Sequence, residues 1–225
     1  MSFLVVGDIH GSASQLRVLL EHDEFLLDRR VVFLGDYVDI GRDSPQVIDQ
    51  LMRFRSLHPN SIFLQGNHDF ALSAYLNSGD FVSYAQLGGI ATIQAYCGEV
   101  FGDVHELLKK AIPAKHLEFL AMLQTHFETS DYLFSHCGYA PDAPKDRSQE
   151  AMVLRSHQQL FIGQATLAKL SVCGHYFQRT HKPFLSERVI CLDTGCGILN
   201  GPLTALALPE RKLVQVSHDL EITAF

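Results

Sequence analysis

Val5-Val6-Gly7-Asp8-Ile9-His10-Gly11 is the stretch on which the reading of this chain turns. A short β-branched run, suited to a strand buried on both faces, ends in glycine and then presents a carboxylate and an imidazole. The arrangement recurs. Phe33-Leu34 runs into Gly35-Asp36-Tyr37-Val38-Asp39, Phe63-Leu64 through Gln65 into Gly66-Asn67-His68-Asp69, and Leu133-Phe134 into Ser135-His136-Cys137-Gly138. Val172-Cys173 leads to Gly174-His175, and Cys191-Leu192 to Asp193-Thr194-Gly195. Ligands of open α/β sheets bind beyond the carboxyl ends of the strands, so these endings are expected to converge. Glycine lets the backbone turn sharply there and approach a ligand closely.

Asp8, His10, Asp36, Asn67, His136 and His175 offer oxygen and imidazole donors with no required thiolate. Such a set suits divalent Mn, Fe, Zn or Co better than copper(I) or an all-oxygen calcium site. Six donors exceed what one catalytic ion with open positions takes. They fit two ions ~3.5–4 Å apart sharing a carboxylate and a water. Any one of these motifs alone reads equally well as a turn or a helix start. Their joint recurrence after successive strands favours the metal centre.

Around these motifs lie further expected strands at 203–208 and 212–216, read as hairpins of a second sheet. Helices are expected at Ser14–His22, Pro45–Leu57 (Ser44 as N-cap and Pro45 in the first position), Phe70–Leu76, Tyr84–Tyr96, Val104–Ala111 and Ala114–Leu123. Gly88-Gly89 would kink the fourth of these or open a groove. The segment Gly138–Gln149 is the best long loop. The order βαβαβ, then helices, then a β-rich end reads as α/β with a mixed sheet in one domain, 1–225.

The charge is 18 Lys and Arg against 25 Asp and Glu, a net −7, with no basic run. Phosphate backbones are bound through cations, so nucleic acid is not an expected partner. The five cysteines lack paired spacing, which favours reduced thiols. No apolar run suits a leader or a membrane span, and a cytoplasmic protein is expected. His22, His58, His105, His116, His126, His157, His181 and His218 lack a motif and are read mostly as surface or helix-end residues.

The blocks Gly7–Gly11, Gly35–Gly41 and Gly66–Asp69, followed by His136 and His175, resemble the phosphoprotein-phosphatase branch of the calcineurin-like metallophosphoesterases. The ending from Asp193 to Ala205 is similar to that of bacterial and phage-type phosphatases and of symmetrical diadenosine-tetraphosphate hydrolases. The resemblance covers residues 3 to about 208. It implies a four-layer α/β/β/α sandwich of two mixed sheets flanked by helices. It also implies two divalent ions, Mn first and Fe, Zn or Co as alternatives. Asp8, His10 and Asp36 would hold one; Asp36, Asn67, His136 and His175 would hold the other. A hydroxide bridging the ions would attack phosphorus, His68 would act as general acid, and Asp39 would orient it.

Two family arginines are absent, replaced by Ile40 and Gln65, and neither side chain can make a guanidinium's bidentate grip. Tyr176 stands where the family often has threonine. Arg155 aligns with a phosphate-binding arginine of the bacterial branch, and Arg42 is a second candidate. The leading expectation is a phosphomonoesterase acting on phosphoserine and phosphothreonine in proteins, or on a small phosphate ester. The alternatives are a dinucleoside-polyphosphate hydrolase and a metal-holding scaffold without catalysis. No oligomeric state is legible.

Overall fold

The structure, a computed structural model, describes residues 2–22, 29–99, 101–163 and 166–225. Along the chain run β1 (Phe3–Val6), α1 (Ala13–Leu20), β2 (Arg30–Phe33), α2 (Ser44–Leu57) and β3 (Ile62–Phe63). A helical stretch follows: α3 (Asn67–Ser78), α4 (Phe81–Gln86), α5 (Ile90–Cys97), α6 (Val104–Ala111) and α7 (Ala114–Ala121). The remainder holds β4 (His126–Glu128), β5 (Tyr132–Ser135), a π-helical turn (Glu150–Leu154), a 3-10 helix (Gln158–Ile162), β6 (Leu170–Cys173), β7 (Phe184–Leu185), β8 (Val189–Cys191), β9 (Leu203–Leu208), β10 (Lys212–Val216) and β11 (Ile222–Ala224).

Two mixed sheets pack face to face. One has the order β11-β10-β9-β1-β2-β3, the other β4-β5-β6-β8-β7. β1, β2 and β3 are parallel, as are β5, β6 and β8. Their carboxyl ends carry the motifs. Alternation along β1 sorts the layers. Phe3 and Val5 join Phe134, Val172 and Ile190 between the sheets. Leu4 and Val6 face Leu16 and Leu19 of α1 and Val47, Ile48 and Leu51 of α2. The outer face of the second sheet, with Leu133, Cys173 and Cys191, is covered by Tyr139, Met152, Val153 and Leu160. This is the four-layer sandwich. Each large aliphatic or aromatic side chain so buried contributes up to about 1.5–3 kcal/mol.

β9 and β10 correct the sequence reading. They extend the first sheet, β9 lying antiparallel to β1 with Leu4 opposite Ala207. β9 is buried on both faces, Ala205 and Ala207 against the helices and Leu206 and Leu208 between the sheets. A pattern without a polar face does not declare its partner. The expected helix 84–96 also divides: Gly88 takes φ +92°, ending α4 and allowing α5 to start anew. α2 begins one residue early, with Asp43 at the cap position and Ser44 inside, because the Ser44 hydroxyl is engaged with Asp39 and Thr92. His116 and His157 are buried. His116 bonds Tyr96 and Asp49, and His157 lies 2.8 Å from the Ala151 carbonyl. The loop 138–149 stands as expected, all five cysteines are free, and no helix among the described residues could cross a membrane.

That long loop is tied to edge strand β4 by charge. Arg147 reaches both oxygens of Glu128, at 2.9 and 3.1 Å, and Lys169 sits 2.9 Å from one of them. The hydrogen bond from Arg147, then those of Lys169, hold the Glu128 carboxyl down to about 2. A depressed carboxyl contributes stability above its unfolded value near 4.5 and loses it as pH falls towards 2. Glu128→Gln should therefore lower stability by about 1 kcal/mol at pH 7, discounted for partial exposure. The gap to the wild type should close between about pH 4.5 and 2, read from urea unfolding midpoints.

Candidate metal centre and active site

Every motif emerges at the same end of the two sheets. Asp8 and His10 follow β1, and Asp36 and Asp39 follow β2; Asn67, His68 and Asp69 open α3 after β3. From the second sheet, His136 follows β5, His175 follows β6 and Asp193 follows β8. The turns are sharp enough to force His10, Asp36, Asp39 and His175 to φ of +43°, +52°, +68° and +64°. L-residues other than glycine adopt this region at a cost, and such residues cluster where function demands a side-chain direction.

Hydrogen bonds hold the turns in place. The Asp69 carboxylate, fully buried, accepts the amides of Asp36 (2.8 Å), Tyr37 (2.9 Å) and Gly66 (2.9 Å). The amides of Ile9 and His10 both donate to the Asp36 carbonyl, at 3.1 and 2.8 Å. Across the sheets, the His175 amide donates to Asp8 Oδ2 at 2.9 Å, and His136 Nδ1 lies 3.0 Å from the Leu34 carbonyl. Gly66 and Gly174 are requirements here, since a Cβ at either would overlap the carboxylate of Asp36 or Asp8 respectively.

The result is a pocket of converging oxygen and nitrogen atoms. The Leu34 carbonyl can only accept, so His136 Nδ1 donates to it and Nε2 is the atom turned inward; burial of this ring is outweighed by Asp36, which pushes its pKa up. That Nε2 lies 3.2 Å from Asp36 Oδ2 and 2.9 Å from Asn67 Oδ1. His10 repeats the pattern, with Nδ1 on the Val38 carbonyl at 3.2 Å and Nε2 3.6 Å from Asp36 Oδ2. His175 Nδ1 is 2.8 Å from Asn67 Oδ1, and its Nε2 is 2.7 Å from Ser156 Oγ. Asp8 Oδ1 is buried with no hydrogen-bond partner. Asp36 belongs to two groups whose ligand atoms lie within 4.8 Å of one another, Asp8-Asp36-His136 and His10-Asp36-His68. Cys137 falls near His136 and His175, but its thiol faces the Val153 carbonyl and burial keeps it protonated.

The titration behaviour follows. Burial, then Asp193 and Asp36, push Asp8 well up, and burial raises Asp193 to about 6. Asp36 is held well below the usual range, the rings of His136, His68 and His10 overcoming its burial. Burial drives His10 and His175 down to about 4, so both offer lone pairs at neutral pH. His68 goes the other way, to about 9; its burial is outweighed by Asp36 and by the hydrogen bond to Asp39. Buried oxygen and nitrogen donors that converge around a carboxylate oxygen with no hydrogen-bond partner are the environment a divalent cation satisfies. The residues present fit metal ions.

All six expected donors are thus brought together, as are His68 and Asp39, 3.1 Å apart. The two arginines are not drawn in. Arg155 is exposed directly before Ser156, and Arg42 is exposed after Gly41. Ile40 packs towards Gly88, and Gln65 accepts from Gln149 at 2.7 Å. Tyr176 donates to the Cys137 carbonyl at 2.9 Å, a structural use. Sequence reasoning missed Ser156 and the clamp of Asp69. It also missed Tyr84 and Thr92, whose hydroxyls meet Asp39.

The family model for calcineurin-like phosphoesterases matches residues 1–181. The chain belongs to that family. Solved structures share the fold of this phosphoesterase. A protein assigned as a diadenosine tetraphosphatase is 23% identical, with 96% of this chain and 93% of that chain covered and a TM-score of 0.64. A cold-active protein-tyrosine phosphatase of a psychrophilic Shewanella is 15% identical over 99% of this chain and 80% of that one, with a TM-score of 0.62. A protein serine/threonine phosphatase from Saccharomyces cerevisiae is 13% identical over 100% and 79%, with a TM-score of 0.59.

The close approach of Gly174 to Asp8 gives a test of the pocket. Gly174→Ala should displace the Asp8 carboxylate and weaken Mn binding at least about tenfold by calorimetry. Far-ultraviolet circular dichroism should stay unchanged.

Proposed function

We propose that this phosphoesterase hydrolyses phosphomonoesters at a two-metal centre, with phosphoserine and phosphothreonine of proteins as its substrate class. The observation that carries the reading is the His68–Asp39 pair beside the shared carboxylate Asp36. Holding metal requires neither His68 nor Asp39. Their retention speaks against a scaffold without catalysis.

Asp8, His10 and Asp36 would hold one divalent ion, and Asp36, Asn67, His136 and His175 the second; Mn suits this oxygen and nitrogen set, as do Fe, Zn or Co. When bound, the two ions would lower the pKa of a coordinated water and neutralise phosphate charge. The chain's own residues do the rest. Asp39 accepts from His68 Nδ1, leaving Nε2 turned towards the donors, and the His10 and His68 rings meet edge to face at 4.7 Å. The hydrogen bond and charge of Asp39 favour the protonated ring of His68, which can pass the Nε2 proton to a departing alkoxide. Arg155, beside Ser156, is the cation best placed by sequence to bind the phosphate, with Arg42 as the second.

One observation favours a dinucleoside-polyphosphate substrate instead. Position 40 is apolar and position 65 is an amide bonded to Gln149, while Arg42, Arg179 and Lys182 stand exposed and would suit a longer polyanion. Turnover of para-nitrophenyl phosphate, a phosphopeptide, diadenosine tetraphosphate and a cyclic-nucleotide diester by Mn-loaded protein separates the readings. Arg155→Ala should raise KM for the phosphopeptide about tenfold or more, on the scale of a lost charged contact. Unchanged phosphopeptide kinetics, with polyphosphate cleavage abolished by Arg42→Ala, would transfer the assignment to the dinucleotide.

The metal assignment has its own check. Metal analysis after anaerobic Mn loading should approach two ions per chain. Asp36→Asn should lose most of both, because this one carboxylate would serve both ions.

A further inference from the structure

The buried carboxylate Asp39 is fully solvated by the protein. Its Oδ2 faces His68 Nδ1 at 3.1 Å, and its Oδ1 accepts two hydroxyls, Tyr84 at 2.7 Å and Thr92 at 2.6 Å. Thr92 spends its single proton on that bond, so its oxygen is free to accept the Asp39 amide, at 2.9 Å. The Ser44 hydroxyl, 3.1 Å away, donates to the same oxygen and stands 3.3 Å from the Asp39 amide. Burial, and then the charge of Asp39, push the Tyr84 phenol well up, so it remains a donor throughout the neutral range.

Tyr84 and Thr92 sit on α4 and α5. Along one continuous helix they would be separated by ~12 Å of rise, too far to share one oxygen. The Gly88-Gly89 break removes that separation. Gly88 at φ +92° turns the chain and offers its carbonyl to the Ile40 amide at 3.4 Å. Gly89 is where the Tyr84 ring needs space: a Cβ there would come within 2.5 Å of its Cε1 and Cζ. Stacking on Tyr75, with centroids 4.8 Å apart, closes the other side of that ring.

We propose that Tyr84 and Thr92 are positioning residues for proton donation. They lock the Asp39 carboxylate so that one oxygen alone faces His68, and the Gly88-Gly89 break is what lets two helices deliver both hydroxyls. The inference rests on the proposed role of His68 as general acid. A carboxylate whose second oxygen accepts two hydrogen bonds is held against rotation, so the imidazole it holds keeps its Nε2 direction. Loss of either hydroxyl frees the rotation. The effect belongs to substrates whose leaving group needs a proton.

The test uses Mn-loaded Tyr84→Phe, Thr92→Val and Thr92→Ser, with His68→Asn alongside, on an alkyl phosphate and on para-nitrophenyl phosphate. Tyr84→Phe and Thr92→Val should each lower kcat on the alkyl ester about tenfold and on the aryl ester less than about threefold, with KM and metal content unchanged. Thr92→Ser should restore both rates. A second readout needs neither metal nor turnover: in metal-free protein with labelled histidine, the His68 Nδ1 proton resonance should shift in Tyr84→Phe and in Thr92→Val and keep its wild-type position in Thr92→Ser. Equal losses on both esters in His68→Asn would remove the acid role, and the inference with it. A leaving-group-dependent loss in His68→Asn, together with wild-type behaviour or equal losses in Tyr84→Phe and Thr92→Val, would overturn the inference alone.

Discussion

Three carboxylates, Asp8, Asp36 and Asp193, are gathered almost without solvent at one edge of the sandwich, and their mutual repulsion is the constraint that the surrounding structure answers. Charge buried without a partner is expensive, and like charges at close range compound the cost. The protein alone answers it partly: burial and repulsion push Asp8 and Asp193 up towards their neutral forms, while the rings around Asp36 hold that one down. Asp8 Oδ1 is left with nothing. The remaining demand is for positive charge from outside. The glycines without room for a Cβ, the residues at positive φ and the three amides on Asp69 all serve to hold acceptors where they would not otherwise stay.

The pocket is also where the two sheets are joined. Asp8 from the first sheet takes the amide of His175 from the second, and His136 from the second bonds the Leu34 carbonyl of the first. Apolar packing between the sheets sets their spacing to within a side chain, since interiors close-pack. A cavity left in that layer, at Phe134 or Val172, would reach the donors through the strand that carries them. Packing and site geometry are therefore one variable here, and folding stability and metal affinity should rise and fall together.

What was legible in the sequence follows from this arrangement. Strands buried on both faces show as apolar runs, and the chemistry sits on the residues directly after them, so fold class and all six expected donors could be named from adjacency. Tyr84 and Thr92 are adjacent to nothing chemical. They lie 45 and 53 residues beyond Asp39 on either side of a helix break, and only the tertiary path reveals their relevance. Ser156 reaches His175 in the same long-range way. His116 and His157 depart from the general expectation of surface or helix-end histidines because a lone histidine carries no burial signal, and each is buried against partners from another element or turn. β9 was assigned to the wrong sheet for the opposite reason: with both faces apolar, it fits either.

The strained turns and the crowded buried carboxylates imply a definite energetic asymmetry between the metal-free and metal-bound chain. Five non-glycine residues in these turns, His10, Asp36, Asp39, Ile40 and His175, hold positive φ, and each costs of order 1 kcal/mol or more. In the metal-free chain, these costs add to that of an unpartnered carboxylate oxygen and to the repulsion around Asp36. A cation bound among the same donors would remove the electrostatic part and leave only the backbone part. The sandwich core and the amide clamps must carry the difference whenever no cation is bound. The strands feeding the site are deeply buried accordingly: Phe3, Leu4, Val5 and Val6 have no exposed surface at all, and neither do Leu133 and Phe134. The rim, in contrast, bears none of this load. Arg42 and Arg155 stand exposed, and Gln65 is bonded to an exposed glutamine on the long loop, so substrate preference can change at the rim without disturbing the pocket that holds the charge.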